Sequence, residues 1–354
     1  MEFQDKLLAL KRSVILPSHL KNYTEAILPV KFDDYKEDIE NFEIRDDDIW
    51  VASFPRSGTT WTQEMVWLMV NNCNYEGAKE PLDLRYGFIE LLTLVPSMFD
   101  ERGFTVQDPI AMLNNTVGRR RFVKTHLPWE LLPLQIRNGT KKPKIIYIMR
   151  NIKDVVVSWF HHNNILEDEY IELDIFFDRF ITDNHVYSPY WKNICGFWNK
   201  RHLSNILLLQ YEDMIRDLSS VIHRTASFLD TKVPEKEMGK LLRHLNFAEM
   251  KNNKAVNMEP MMELLNRDID DRTRFIRKGK VGSHKEELTE EMIQLLDVWS
   301  EMSTEGTGFK SKLARVRPVL KNGDISDVSN CRPISIPPNI AKAFESAVYN
   351  ILSD

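Results

Sequence analysis

Two short stretches hold residues whose types and spacing could do chemistry. The first, FPRSGTTW, runs from Phe54 to Trp61 between an apolar run and a helical pattern. Gly58 permits a turn whose backbone N–H groups point inward, and the helix N-terminus behind it adds partial positive charge for a phosphate. Ser57, Thr59 and Thr60 add hydroxyl donors, and Arg56 adds a permanent charge. A strand-to-helix turn with a Ser/Thr cap has a similar composition, so the loop alone leaves kinases and other phosphate binders open. It lacks the order GxxxxGK[ST], which counts against a nucleoside triphosphatase. The second stretch is RFVKTHLP, where Lys124 and His126 flank Thr125. Residues i and i+2 of a strand share a face, so both side chains can reach one centre. A lone histidine is more often structural than catalytic. A Lys-x-His pair at a strand end near a phosphate loop shifts that balance.

The elements that must carry these residues read as strand-then-helix units. Ile49 to Phe54 is an apolar run suited to a buried strand, followed by Trp61, Met65, Leu68 and Met69 on one helical face. Lys144 to Met149 is continuous enough for a central parallel strand, and Ile152, Val155, Val156 and Trp159 then take helical spacing. Asn205 to Gln210 is a third strand before a helix marked by Leu218, Val221, Ile222 and Thr225, and Pro234 is placed to start another. A last helix carries Met292, Leu295, Leu296 and Trp299 and is expected to finish near Trp299. Strands alternating with helices predict an α/β fold with a parallel sheet covered on both faces. Ligands in such folds bind at the carboxyl ends of the strands, where both stretches fall.

The loop is similar to the phosphosulfate-binding segment of cytosolic sulfotransferases, usually YPKSGTTW. The rest of that pattern follows in order: KTHLP at Lys124 to Pro128, RN at Arg150, Ser158, YEDM at Tyr211, and RKG at Arg277 to Gly279. The resemblance spans residues 20 to 310 and implies one α/β domain, a central parallel sheet flanked by helices, and a P-loop-like phosphosulfate site. It implies 3′-phosphoadenosine-5′-phosphosulfate (PAPS) as donor, a small apolar hydroxyl compound as acceptor, and no metal. His126 is then the general base, with Lys124 and Arg56 stabilising charge on the transferring group and leaving oxygen. Ser57, Gly58, Thr59 and Thr60 join Arg56 in the donor loop. Arg150, Ser158, Arg277, Lys278 and Gly279 hold the 3′-phosphate. Trp61, Tyr211 and Phe247 meet the adenine, with Leu245 and Asn246 just before Phe247. Phe88 and His162 line the acceptor pocket beside Lys124 and His126; a core phenylalanine and a surface histidine are the rival readings of those two. The sequence departs from the pattern at Arg56, where Lys is usual, and at Leu245–Asn246, where Thr-Ser is common. It departs again at Ser283–His284, where many relatives have Asp-Trp. The family's dimer motif is only partly present, with Lys285 and Thr289 matching but Glu290 and Gln294 not, so a homodimer is left open.

Composition sets outer bounds. The 354 residues are 43% hydrophobic and 28% charged, ordinary for a globular chain. A net charge of −5 predicts no general affinity for nucleic acid or acidic membranes, so any anion site must come from local basic residues. The start, MEFQDKLLALKRSV, has no leader-like apolar core, and Cys73, Cys195 and Cys331 form neither a CxxC nor a disulfide pattern. Cytoplasmic localisation is the expectation, which makes the sequons at Asn22, Asn114 and Asn138 chance matches. From Ser311 to Asp354 the composition shifts. This piece resembles the start of a retrotransposon reverse transcriptase (P-x-x-K-x-G-D, then RPIS) and ends before that family's catalytic aspartates. It is expected to be a fused exon or gene-prediction artefact, disordered or loosely attached. Two other functions stay in play: a decayed, non-catalytic nucleotide-binding homologue, and a small-molecule kinase using ATP.

Overall fold

The computed structural model describes residues 2–94, 106–166, 170–264 and 274–309, with two short pieces at 319–320 and 331–332. Strands β1 (Leu20–Tyr23) and β2 (Ala26–Pro29) form an antiparallel pair. The sheet that matters for function contains β3 (Ile49–Ser53), β4 (Gly87–Phe88), β5 (Phe122–Thr125), β6 (Lys144–Met149) and β7 (Ile206–Gln210). Its five strands are all parallel, in the order β4-β5-β3-β6-β7. Every residue of β3 is buried, as is every residue of β6 except Lys144. That is the burial expected of parallel strands covered on both faces.

The chain leaves β3 for β4 and β5 on one side, then crosses to β6 and β7 on the other. The carboxyl end of β3 is therefore the point where strand order switches, the place where ligands bind in open parallel sheets. Register lines up the neighbouring ends: Ala52 pairs with both Thr125 and Tyr147, Phe88 with Lys124, and Met149 with Gln210.

The helix after β3 spans Thr59–Val70 and differs from the one-faced reading. Thr62 through Met69 are all buried, because the helix packs on β3 and also on the helix Leu218–Phe228. A helix enclosed this way is buried nearly all round, and its polar residues Thr62, Gln63 and Glu64 are enclosed with the rest. The charged one, Glu64, is fully buried and satisfied by Arg85 at 2.7 Å and His244 at 2.7 Å. Pro234 stands one residue before its helix, as the cap of Glu235–His244, where its extended backbone still sets the entry angle. The last helix, Glu290–Thr304, runs past Trp299; Thr289 caps its start and Leu295, Leu296 and Trp299 are buried. Among the described residues no helix is long and apolar enough to cross a membrane.

Contacts divide the chain into Met1–Gly308 and Phe309–Asp354. In the second unit Val319–Leu320 pairs antiparallel with Cys331–Arg332. The rest of the reverse-transcriptase-like segment lies outside the described residues.

A buried ion pair holds the amino ends of β3 and β5 in step. Arg121 donates to both oxygens of Asp48, Nε at 2.7 Å and Nη2 at 2.6 Å, and both residues are at most 2% exposed. Asp48→Ala strands the guanidinium in the interior, so it should cost roughly 3–5 kcal/mol of stability. Urea unfolding measures this. A loss under about 1 kcal/mol would mean that water reaches Arg121 and the pair is not truly interior.

Candidate active site

The phosphate loop leaves β3 at Ser53 and enters its helix at Gly58. Gly58 has φ +106°, and a Cβ there would lie 2.8 Å from the Tyr211 ring, so conformation and space both require glycine. Arg56 also has positive φ (65°), a strained position for a side chain with a Cβ. Its guanidinium is tied down: Nε donates to Ser158 Oγ at 3.2 Å and Nη2 to the Phe275 carbonyl at 2.8 Å, above the Phe275 ring. Burial, then the charges of Arg150 and Arg277, push its pKa down to about 9, which leaves it charged at neutral pH. Among the described residues the buried Ser57 hydroxyl and Arg150 Nε have no partner. Orphaned donors beside a helix N-terminus suit a phosphate.

At the end of β5, His126 lies one residue beyond the strand. Its Nδ1 is 2.9 Å from the Ser53 carbonyl, which can only accept, so Nδ1 carries the proton and Nε2 the lone pair. Nε2 has no protein partner among the described residues. The ring stands edge-on to Phe88 at 5.3 Å and to Tyr187 at 5.5 Å. Lys124 Nζ lies 3.9 Å above the same Phe88 ring, so the two side chains share a face as their spacing predicts. Burial, then Lys124, hold the His126 pKa well below its ordinary value. Burial also lowers Lys124, to about 8. The cluster thus offers a neutral imidazole beside cations, an arrangement able to take a proton and stabilise developing negative charge.

Comparison with known proteins gives this arrangement its context. A sulfotransferase domain model matches residues 46–313. The luciferin sulfotransferase of Photinus pyralis is 41% identical over 293 residues, 80% of this chain and 79% of that protein. Sulfotransferase 1 family member D1 of Rattus norvegicus is 35% identical over 71% of this chain and 81% of its own length. The chain belongs to the sulfotransferase family. A solved structure of retinol dehydratase, complexed with androsterone and the inactive cofactor PAP, superposes with TM-score 0.75 at 30% identity. It covers 88% of this chain and 96% of its own. A second, holding retinol and PAP, agrees equally well. The protein is a PAPS-dependent sulfotransferase with the α/β parallel-sheet fold.

Other predicted donor-site residues of this sulfotransferase gather around the loop. Trp61 meets the Tyr211 ring at 5.7 Å and donates its indole N–H to the Leu245 carbonyl. Arg150 lies over Tyr211 and donates to the Arg56 carbonyl. Gly279 has φ +59°, and a Cβ there would come within 2.1 Å of Phe247, which is 37% exposed. Asn246 uses its side-chain oxygen to cap the helix Phe247–Asn252, and so holds the helix end that Phe247 begins. Arg277 and Lys278 are placed together but already paired. Glu287 Oε1 takes Arg277 at 2.8 Å and Lys278 at 2.9 Å, and Glu286 takes Lys278 at 2.7 Å. His162 is half-buried and not on the open surface; its Nδ1 has no partner among the described residues, and its ring meets Phe275 edge-on. Burial, then Arg56 and Lys124, depress its pKa well below the ordinary value.

The Ser283–His284 departure has a structural answer. Asp154, in the first turn of the helix Ile152–Leu166, receives Gly282 N at 2.8 Å and His284 N at 3.1 Å. Its Oδ1 also meets His284 Nδ1 at 2.8 Å. Burial works against its charge, but these hydrogen bonds hold its pKa below the usual carboxylate value. Reading the sequence missed Asp154, Ser53, Glu90, Tyr187 and Glu287. Asp154 had a usable signal, lying one helical turn after Arg150. Asp154→Ala removes four contacts to residues 282–284, the Ser283 hydroxyl at 3.5 Å included, so PAP affinity should fall by about tenfold or more. Isothermal titration checks this, and unchanged affinity would mean the segment is held by other contacts.

Proposed function

We propose that this sulfotransferase moves the sulfonate of PAPS to the hydroxyl of a small apolar acceptor, a phenol, steroid or alcohol, with His126 as general base. The observation that carries the reading is the Ser53 carbonyl on His126 Nδ1, which directs the lone pair to Nε2. That nitrogen takes the acceptor's hydroxyl proton as the oxygen bonds to sulfur and the sulfur–oxygen bond to the phosphate breaks. Lys124 and Arg56 face the charge that gathers on the transferring group and the departing phosphate oxygen. Ser57, Gly58, Thr59 and Thr60 cradle the 5′ side of the donor. Arg150, Ser158, Arg277, Lys278 and Gly279 take its 3′-phosphate, while Trp61, Tyr211 and Phe247 enclose the adenine at the Leu245–Asn246 turn. Phe88 and His162 wall the acceptor. Relatives named for luciferin, and structural neighbours holding androsterone or retinol, support an acceptor of this size and polarity. We place the enzyme in the cytoplasm, working without a metal, with dimerisation open.

Radiolabelled PAPS with 2-naphthol, androsterone and retinol tests the acceptor class; label transfer to none of them would overturn it. His126→Ala should lower turnover by roughly 10²–10⁴-fold with PAP binding near normal, the usual size of a general-base contribution. Turnover within a few-fold of the parent would remove His126 from the mechanism.

Residues 311–354, in this reading, add nothing to catalysis or to the fold of the sulfotransferase domain (residues 1–310). The family match ends at residue 313, and the last helix of the first unit ends at Thr304. A chain ending at Lys310 should keep its sulfonation rate and melt within about 4 °C of the full chain, a shift worth under ~3 kcal/mol at this size. A large fall in melting temperature would show that the tail packs on the domain.

A further inference from the structure

Glu90 is fully buried directly behind His126, and neither the donor site nor the acceptor wall accounts for it. Its two oxygens hold the end of β5. Oε1 accepts the His126 backbone N–H at 2.6 Å and the Tyr187 hydroxyl at 3.2 Å, and Oε2 accepts the Thr125 hydroxyl at 2.9 Å. Thr125 Oγ1 in turn accepts the Leu127 N–H, which orients its proton toward Glu90. Further bonds brace the same turn: Asn193 donates to the His126 carbonyl at 2.9 Å, and Tyr147 donates to Asn193 at 2.6 Å. Three donors converge on one carboxyl group, a pattern the ionised form satisfies best because it accepts at both oxygens.

The charges nearby are unbalanced. Lys124 and Arg56 are cationic, and His126 must become so when it takes a proton. Glu90 is the buried carboxylate whose charge acts on Lys124. We infer that Glu90, as the carboxylate, is a positioning residue for His126: it fixes the turn that aims the imidazole and offsets positive charge during proton transfer. Bonds to the His126 N–H and the Thr125 hydroxyl set the direction of the chain where it leaves β5, and hence where Nε2 points. The titratable groups facing Glu90 are Lys124 and His126 from β5 and Tyr187 from the turn before the helix Tyr190–Asn199. Burial raises the Glu90 pKa to about 7, against the pull of its hydrogen bonds, so its charge is lost as pH falls through neutrality. His126 titrates well below 6.5, so its own protonation lies further to the acid side.

This inference rests on His126 as the base, and the experiment keeps the two apart. In the full-length protein, kcat is followed from pH 5.5 to 9 with whichever of the three acceptors turns over fastest. The parent should show an acid limb near pH 7. Glu90→Gln should lower kcat by about 10- to 100-fold at pH 7.5, with acceptor KM and PAP affinity within threefold, and should abolish that limb. Thr125→Val removes one hydrogen bond to the charged form, so it should move the limb upward by about one unit. It also provides the test if Glu90→Gln fails to fold. Histidine ring ¹⁵N shifts give a readout free of turnover: His126 should titrate at lower pH once the carboxylate is gone. A Glu90→Gln enzyme with unchanged kcat and limb, or a Thr125→Val limb that does not move, overturns the role for Glu90. The His126→Ala result decides the base independently.

Discussion

The parallel hydrogen-bond ladder that pins β3 between β5 and β6 is the constraint on which the site depends. A one-residue slip of β5 against β3 would turn Lys124 to the opposite face and carry His126 away from the Ser53 carbonyl. The ladder is fixed at its amino end by the Asp48–Arg121 pair and along its length by complete burial of β3. Ser53 then serves three ends at once. Its carbonyl sets the tautomer of His126, its hydroxyl meets Thr59 at 2.6 Å in the phosphate loop, and its strand sets the origin of that loop.

With the strand ends gathered, the site becomes a problem in charge. Arg56, Lys124 and Arg150 come from three different strand ends, and burial makes each costly alone. The protein meets that cost with carboxylates held at fixed places around the rim. Glu90 sits behind the β5 turn, and Glu212 receives the Asn151 N–H. Asp154 gathers the segment at 282–284, and Glu287 links Arg277 and Lys278 to His161. Hydrogen bonds from His161, Lys278 and Arg277 outweigh burial and hold Glu287 far below the usual carboxylate range. An anion bound here would therefore meet cations whose positions are already set, the condition under which electrostatic stabilisation is most effective.

The two main departures from the family pattern make sense in this setting. Arg56 has a longer, forked head than lysine and uses it to reach across to Ser158 and Phe275, joining the loop to the segment leading to Arg277. His284, at the departure from the family pattern after Gly282, forms a buried polar contact with Asp154. Both residues make directional contacts between elements far apart in sequence.

Much of the fold was legible in the sequence. Parallel strands buried on both faces must be continuously apolar, which marked the runs Ile49 to Phe54 and Lys144 to Met149, and glycine at Gly58 marked the loop. The i, i+2 spacing of Lys124 and His126 correctly put them on one face, since that depends on backbone geometry alone. Short β4 carried no such signal: two residues show no period, and the strand exists because it can pair with β5. The Thr59–Val70 helix read as one-faced because periodicity cannot show a second covering layer. Glu90, Ser53 and Glu287 were invisible for a related reason. Their importance lies in partners 35 or more residues away for Glu90–Thr125 and 73 away for Ser53–His126, and in the case of Glu287, 126 away for His161. Local spacing determined which side chains could do chemistry, while only tertiary packing decided which carboxylates balance them and which way the imidazole points, because both depend on contacts formed when distant strand ends meet.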